Sequence, residues 1–271
     1  MMANGPLTGE PRIQVGCLNF DPLLVEHAAE HIANSANAGR GGLVVTPNID
    51  FLYRANRDAT FRALVSEAEL SLADGQPVVW AARLQGTPLP GRASGSDLLE
   101  PLCSSLARRG LSLFLLGGNP GTAERAGALL ASRHVGLRIV GTRCPPFGFE
   151  HDPIYMAELK STLITTSPHV VLVGLGSPKQ ENLSLALRNI CPQTWWVGVG
   201  VSFSFVSGDI SRAPMLLRTM GLEWAYRLMR EPRHLFGRYL QRNLPFALWL
   251  LLCAAFSRTS RRKPTVGEPP F

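Results

Sequence analysis

The chain has 271 residues, 45% of them hydrophobic and 17% charged, with a formal net charge of +7. That length and apolar content exclude a disordered or fibrous protein and suit one large folded domain, or a domain with an appendage. The charge is uneven: residues 212–263 carry eleven Lys/Arg and two acids, a net of +9, whereas the rest carries sixteen Lys/Arg and eighteen acids, a net of −2.

Residues 1–12 read as a loose N-terminus, without the basic-then-apolar pattern of a signal peptide. A helix is expected over 22–37, where His27 and His31 stand one turn apart. With no third ligand obvious, the pair reads as an exposed helix face rather than a metal site. The first clear strand, 43–45, ends at Thr46-Pro47-Asn48. Thr46 and Asn48 can hydrogen-bond a sugar or steer a base there, and Asn48 can equally cap the next helix. After a helix over 58–69 comes Ala73-Asp74-Gly75. An aspartate before a glycine at a turn serves as a general base or closes an Asx-turn, and the second is the commoner case. Arg92 with Gly95, Ser96 and Asp97 offers a cation and hydroxyls before a helix over 96–109, with Ser96 as its cap.

Further apolar runs at 111–116, 137–140, 170–173 and 195–197 each end in glycine, and helix-like stretches lie at 122–133, 152–167 and 179–189. Continuous apolar strands alternating with amphipathic helices indicate an α/β fold: a Rossmann-like, mostly parallel sheet with helices on both faces. In such a sheet the glycine turns gather at the carboxyl edge: Gly117-Gly118, Gly174 with Gly176, and Gly198 with Gly200. Pro178, Lys179, Gln180 and Glu181 arrive there at a helix start, which favours an anion. Neither GxGxxG nor GxxxxGK[ST] occurs, which disfavours dinucleotide enzymes and nucleotide triphosphatases. The five cysteines form no CxxC pair and read as reduced thiols.

After Gly208 the chain becomes helical and basic, with an appendage boundary near Met220. It lacks the regular aromatic interleaving of a nucleic-acid platform. Arg227, Arg230 and Arg233 recur every third residue and can share one helix face, which reads as an exposed basic face, as arginines paired with Glu223 and Glu231, or as a diphosphate clamp. Arg212 precedes them. Residues 244–256 are almost wholly apolar but too short to span a bilayer, and basic residues flank them: Arg238 and Arg242 before, Arg258, Arg261, Arg262 and Lys263 after. That arrangement suits a monotopic anchor or a buried packing helix. The expected organisation is 1–12 loose, 13–220 core, 221–263 appendage and 264–271 loose tail.

These segments, in this order, resemble the WecG/TagA/CpsF glycosyltransferase family from residue 13 to 240: Thr46-Pro47-Asn48, Ala73-Asp74-Gly75, Arg92 with Gly95-Ser96-Asp97, Leu116-Gly117-Gly118, residues 173–181, Gly198-Val199-Gly200, Ser207-Gly208, Arg212-Ala213-Pro214, Gly221-Leu222-Glu223-Trp224, Arg227 and Glu231-Pro232-Arg233. The resemblance implies inverting transfer of a hexose or N-acetylhexosamine-type sugar from a UDP-sugar to a polyprenyl-diphosphate-linked saccharide. The setting would be bacterial exopolysaccharide, teichoic-acid or common-antigen synthesis. It implies Asp74 as base with Thr46 beside it, and Arg227 and Arg233 on the donor diphosphate. Neither metal nor cofactor is implied, the UDP-sugar being a co-substrate. It further implies a cytoplasmic protein held on the inner leaflet of the cytoplasmic membrane by the appendage, with no nucleic-acid partner and a homo-oligomer left open. Two other classes compete: a catalytically silent nucleotide-sugar scaffold at the membrane, and an epimerase or dehydrogenase on the same fold.

Overall fold

The computed structural model describes residues 11–230 and 232–261. Its strands are β1 (Ile13–Val15), β2 (Leu18–Phe20), β3 (Gly42–Val45), β4 (Leu70–Ser71), β5 (Ser112–Gly117), β6 (Arg138–Arg143), β7 (Val170–Gly174) and β8 (Trp195–Gly198). The first two form an antiparallel hairpin. The other six make a parallel sheet in the order β4-β3-β8-β7-β5-β6. Helices cover both faces, so its central strands are apolar on both sides. Val45, Val171, Val173 and Trp196 enter one core cluster, while Val44, Val170, Leu172 and Trp195 enter the other. That alternation is the period of two of an extended chain.

The expected α/β sheet is present, with local differences. β6 runs through Gly141 to Arg143 rather than stopping at the glycine. A Cβ at Gly141 would lie 2.4 Å from the Phe114 ring, so this glycine answers packing, not termination. Helix Gln76–Leu84 was not legible: Gly75, at φ +101°, is its cap and a proline stands in its first turn. Asn48, Asp58 and Asp152 cap the helices that follow them through their side chains. The cap of helix Gly95–Ala107 is Ser94, not Ser96. Gly121 caps helix Thr122–Arg133, and the Thr122 hydroxyl donates to Asp209 at 2.7 Å. His31 does not lie on an open face: its ring meets Trp195 edge-on at 6.0 Å.

The C-terminal part is a series of short helices, Met215–Thr219, Glu223–Arg230 and Pro232–Phe236, then a π-helical stretch, Gly237–Asn243, and the long helix Leu244–Arg261. Arg227 and Arg230 lie on helix Glu223–Arg230 and Arg233 on helix Pro232–Phe236. The long helix returns to the core. Ala247, Leu250 and Ala254 are buried in the same cluster as Val78, Ala81 and Ala82 of helix Gln76–Leu84. Its other side leaves Leu248 56%, Leu252 60% and Phe256 72% exposed. The apolar run therefore packs within the protein and also presents an apolar surface. Among the described residues no helix is long and apolar enough to cross a membrane. Arg12, expected in a loose segment, is tied down: its Nε donates to Asp21 at 3.0 Å and its Nη2 to the Ala68 carbonyl at 3.0 Å. Residues 1–10, Glu231, Arg262, Lys263 and the tail 264–271 lie outside the described residues.

Candidate functional site

A cavity of about 590 Å³ opens beyond the carboxyl ends of β3, β4, β7 and β8. From β3 the chain steps outward to β4, and all later strands of the sheet lie on the other side of β3. A ligand crevice belongs where the two halves of such a sheet meet. The starts of helices Ile49–Arg57, Gln76–Leu84, Gly95–Ala107 and Lys179–Arg188 all contribute to its wall. The dipoles of these helix starts make that wall favourable to negative charge.

Asp74 stands at the floor. Backbone pairing sets it there: Leu72 N–H donates to the Val45 carbonyl at 2.9 Å, and Asp74 N–H to the Pro47 carbonyl at 3.0 Å. Thr46 therefore lies in the adjoining segment, and both residues line the cavity. Asp74 keeps some contact with the open space while protein surrounds it closely. Burial raises its carboxyl to about 6, with Arg92 acting against the rise, Asp97 and Glu223 adding to it, and an Asn48 hydrogen bond opposing it. Asn48 caps the helix that follows it and hydrogen-bonds Asp74. Its Oδ1 accepts from Asp50 N at 3.0 Å and Phe51 N at 3.3 Å, which leaves its amide N–H free to donate to Asp74. Asn48→Ala is thus expected to cost about 1 kcal/mol of stability through the lost cap and to raise the Asp74 pKa further. Thermal unfolding and the acid limb of the activity profile read the two effects separately.

A ring of charge ties the appendage to this floor. Arg92 donates to Asp97 at 2.7 Å and to Glu223 at 3.0 Å. Arg212 donates to Asp97 at 2.6 Å and Glu223 at 3.3 Å, and Arg218 approaches Asp97 at 3.8 Å. Burial acts to raise the Asp97 carboxyl, but Arg92, Ser94 and Arg212 outweigh it and hold it below the usual range. Asp97 and Arg212 do not line the cavity, whereas Arg92 and Glu223 do. Partly buried pairs that share partners in this way fix geometry more than they stabilise.

The remaining candidates divide clearly. Gly75, Ser96, Gly176, Gln180, Gly198, Gly200 and Arg227 line the cavity. Gly117, Gly118, Gly174, Pro178, Lys179, Glu181 and Arg233 do not. Gly117 and Gly174 have packing reasons to be glycine: a Cβ on the first would lie 2.5 Å from the Gly174 carbonyl, and one on the second 2.8 Å from the Phe203 ring. Lys179 is paired with Glu150 at 2.7 Å and sits over the Phe147 ring. Glu181 is 2% exposed; burial raises its carboxyl, and it accepts from Gln180 Nε2 at 2.7 Å. Gln180 Oε1 in turn accepts from Gly200 N at 3.3 Å, so this pair braces the loop after β8. Arg233 is exposed.

Several lining residues escaped the sequence: Trp80, Arg238, Tyr239, Asn243, Leu244, Leu248 and Leu251. Arg238 reads in the sequence only as the basic flank of an apolar run, but here it pairs with buried Asp50 at 3.2 Å. Arg227 Nε and Arg238 Nε are buried without a hydrogen-bond partner. Among the described residues no carboxylate is paired with Arg227. Among the same residues no group of three His, Cys, Asp or Glu side chains is arranged to hold a metal ion.

A carboxylate with raised proton affinity, in a cavity also lined by helix starts and by an arginine with no paired carboxylate among the described residues, is chemistry for an enzyme that deprotonates one substrate while holding an anionic partner. The family model for the glycosyl transferase WecG/TagA/CpsF family matches residues 13–261. The chain belongs to that family and is a glycosyltransferase of cell-surface polysaccharide synthesis. The match includes the helix Leu244–Arg261, beyond the residues in which the sequence motifs occur.

Proposed function

We propose that the protein transfers a sugar from a UDP-sugar, with inversion, to a polyprenyl-diphosphate-linked saccharide. The observation that carries this is Asp74: a carboxyl raised to about 6 at the floor of a cavity whose upper wall holds Arg227. Asp74 accepts the proton of the attacking acceptor hydroxyl, with Thr46 beside it to orient that hydroxyl. The oxygen attacks the anomeric carbon as the bond to the UDP oxygen breaks, in one displacement. Negative charge then grows on the departing diphosphate, where Arg227 and the helix starts meet it without a metal ion. Asn48 keeps Asp74 oriented, and the ring of Arg92, Asp97, Arg212 and Glu223 holds the Arg227 helix over the site.

We further propose that the enzyme works on the inner face of the cytoplasmic membrane, where its acceptor resides. Exposed Trp249, Leu252 and Phe256 on the last helix support this, as apolar groups that can sit at a lipid interface beside basic residues. A screen of UDP-sugars against polyprenyl-diphosphate-linked saccharides, run with a chelator present, tests the proposal. UDP release coupled to an inverted glycosidic product is expected with at least one pair. Transfer only from another nucleotide sugar, retention at the anomeric carbon, or dependence on added metal would each contradict a stated part of it.

A further inference from the structure

The cavity has a second character away from Asp74. Along the C-terminal segment its lining passes from Arg238 and Asn243 to Leu244, Leu248 and Leu251. The last three recur at i, i+4 and i+7, one stripe of a helix. The neighbouring stripe, Leu250 and Ala254, is the one buried against the core, so the helix is held with its leucine stripe toward the cavity. Leu248 lines the cavity and yet is 56% exposed, so the cavity opens outward at that point. Trp80, from helix Gln76–Leu84, also lines it and is 46% exposed. Leu252 and Phe256 continue the apolar surface beyond the opening.

We propose that Leu244, Leu248, Leu251 and Trp80 form a subsite for the proximal part of the acceptor's hydrocarbon chain, which leaves the cavity past Leu248. This rests on the lipid-linked acceptor proposed above. The order along the last segment supports it: Arg238 and Asn243, then leucines, matches a diphosphate and a hydrocarbon chain joined in that order. A nucleobase fits this end poorly, because the side chains from Leu244 to Leu251 offer it no acceptor and only an exposed indole N–H as a donor. The helix therefore does more than pack or face lipid. It selects an acceptor by its chain.

Geranyl, farnesyl and geranylgeranyl diphosphate, titrated against the full chain without any sugar nucleotide, test the subsite by calorimetry. Affinity for the unmodified protein is expected to tighten at least about tenfold from the shortest to the longest probe. Leu248→Gln should remove most of that gain while leaving the shortest probe within about twofold. Leu252→Gln, one turn further on but outside the lining, should keep the gain. Equal affinity for all three probes on the unmodified protein overturns the proposal, whatever the variants do. So does an equal loss in both variants, which would mark adsorption to the outer face. These titrations need no turnover. A chain-length gain in a protein that transfers no sugar would count against the proposed reaction and leave the subsite standing; transfer without the gain would do the reverse.

Discussion

Asp74→Asn is expected to lower sugar transfer about 10²–10⁴-fold, the usual worth of a positioned base, without lowering the unfolding midpoint at neutral pH. Asparagine has nearly the same shape and keeps an oxygen for the Asn48 amide, so the floor of the cavity should persist. The sign of the stability effect follows from the pKa. Asp74 is raised to about 6 in the folded protein, above its unfolded value, because burial disfavours the charged form. The stability this group contributes is complete below the unfolded pKa and is lost as pH rises through about 6. Asparagine cannot ionise, so at neutral pH the variant should be as stable as the parent or more so, by up to an amount on the order of 1–3 kcal/mol. The lost attraction to Arg92 offsets part of this. Transfer assays and thermal unfolding on the same preparations separate the two effects. Near-parental turnover by Asp74→Asn would remove the base from the account.

Arg227→Ala is the second large expected effect, a fall in kcat of about 10²–10³-fold, comparable to removing one donor from an oxyanion site. The other cavity arginines have their charge met within the protein: Arg92 by Asp97 and Glu223, Arg238 by Asp50. Arg227 lines the same cavity with its Nε unsatisfied and, among the described residues, no carboxylate paired with it, so it is the cavity arginine with most to gain from a diphosphate. Because that gain is largest when negative charge has moved onto the leaving group, kcat should fall more than KM rises. Arg227→Lys should retain part of the rate, since the charge remains but the planar fork does not. Arg233→Ala is the control: Arg233 is exposed and outside the lining, and its loss should leave turnover nearly unchanged. Equal losses in the two alanine variants would point to a general effect of surface charge.

The sheet was legible because apolar strands ending in glycine or another turn cluster carry a strong local signal, and β3, β5, β7 and β8 follow it closely. Thr46 and Asn48 follow an apolar run that was legible, whereas Asp74 follows β4, a two-residue strand with no local signal, and its role as base came from the family resemblance. The sequence was less informative wherever a residue's role depended on what crossed it. Gly117 and Gly174 look like ligand-approach glycines but are set by each other and by Phe203. Lys179 follows a turn suited to an anion, yet Glu150, distant in sequence, takes its charge. Trp80 sits on a helix opened by Gly75 and a proline, without a polar cap to announce it. Arg238 and the leucine stripe become part of the cavity only because the last helix folds back onto the core, a packing of two apolar faces that no local pattern records.

The pH dependence of kcat/KM for transfer, measured with both substrates below saturation, tests the central claim most directly, because it reports the essential base in the free enzyme. The rate constant should rise with pH through a single acid limb centred near 6 and level off above it, following ionisation of Asp74. The residual activity of Asp74→Asn should lack that limb. A limb near the ordinary carboxylate value of about 4, or the same limb surviving in Asp74→Asn, would contradict the assignment of Asp74 as the base at the floor of this cavity.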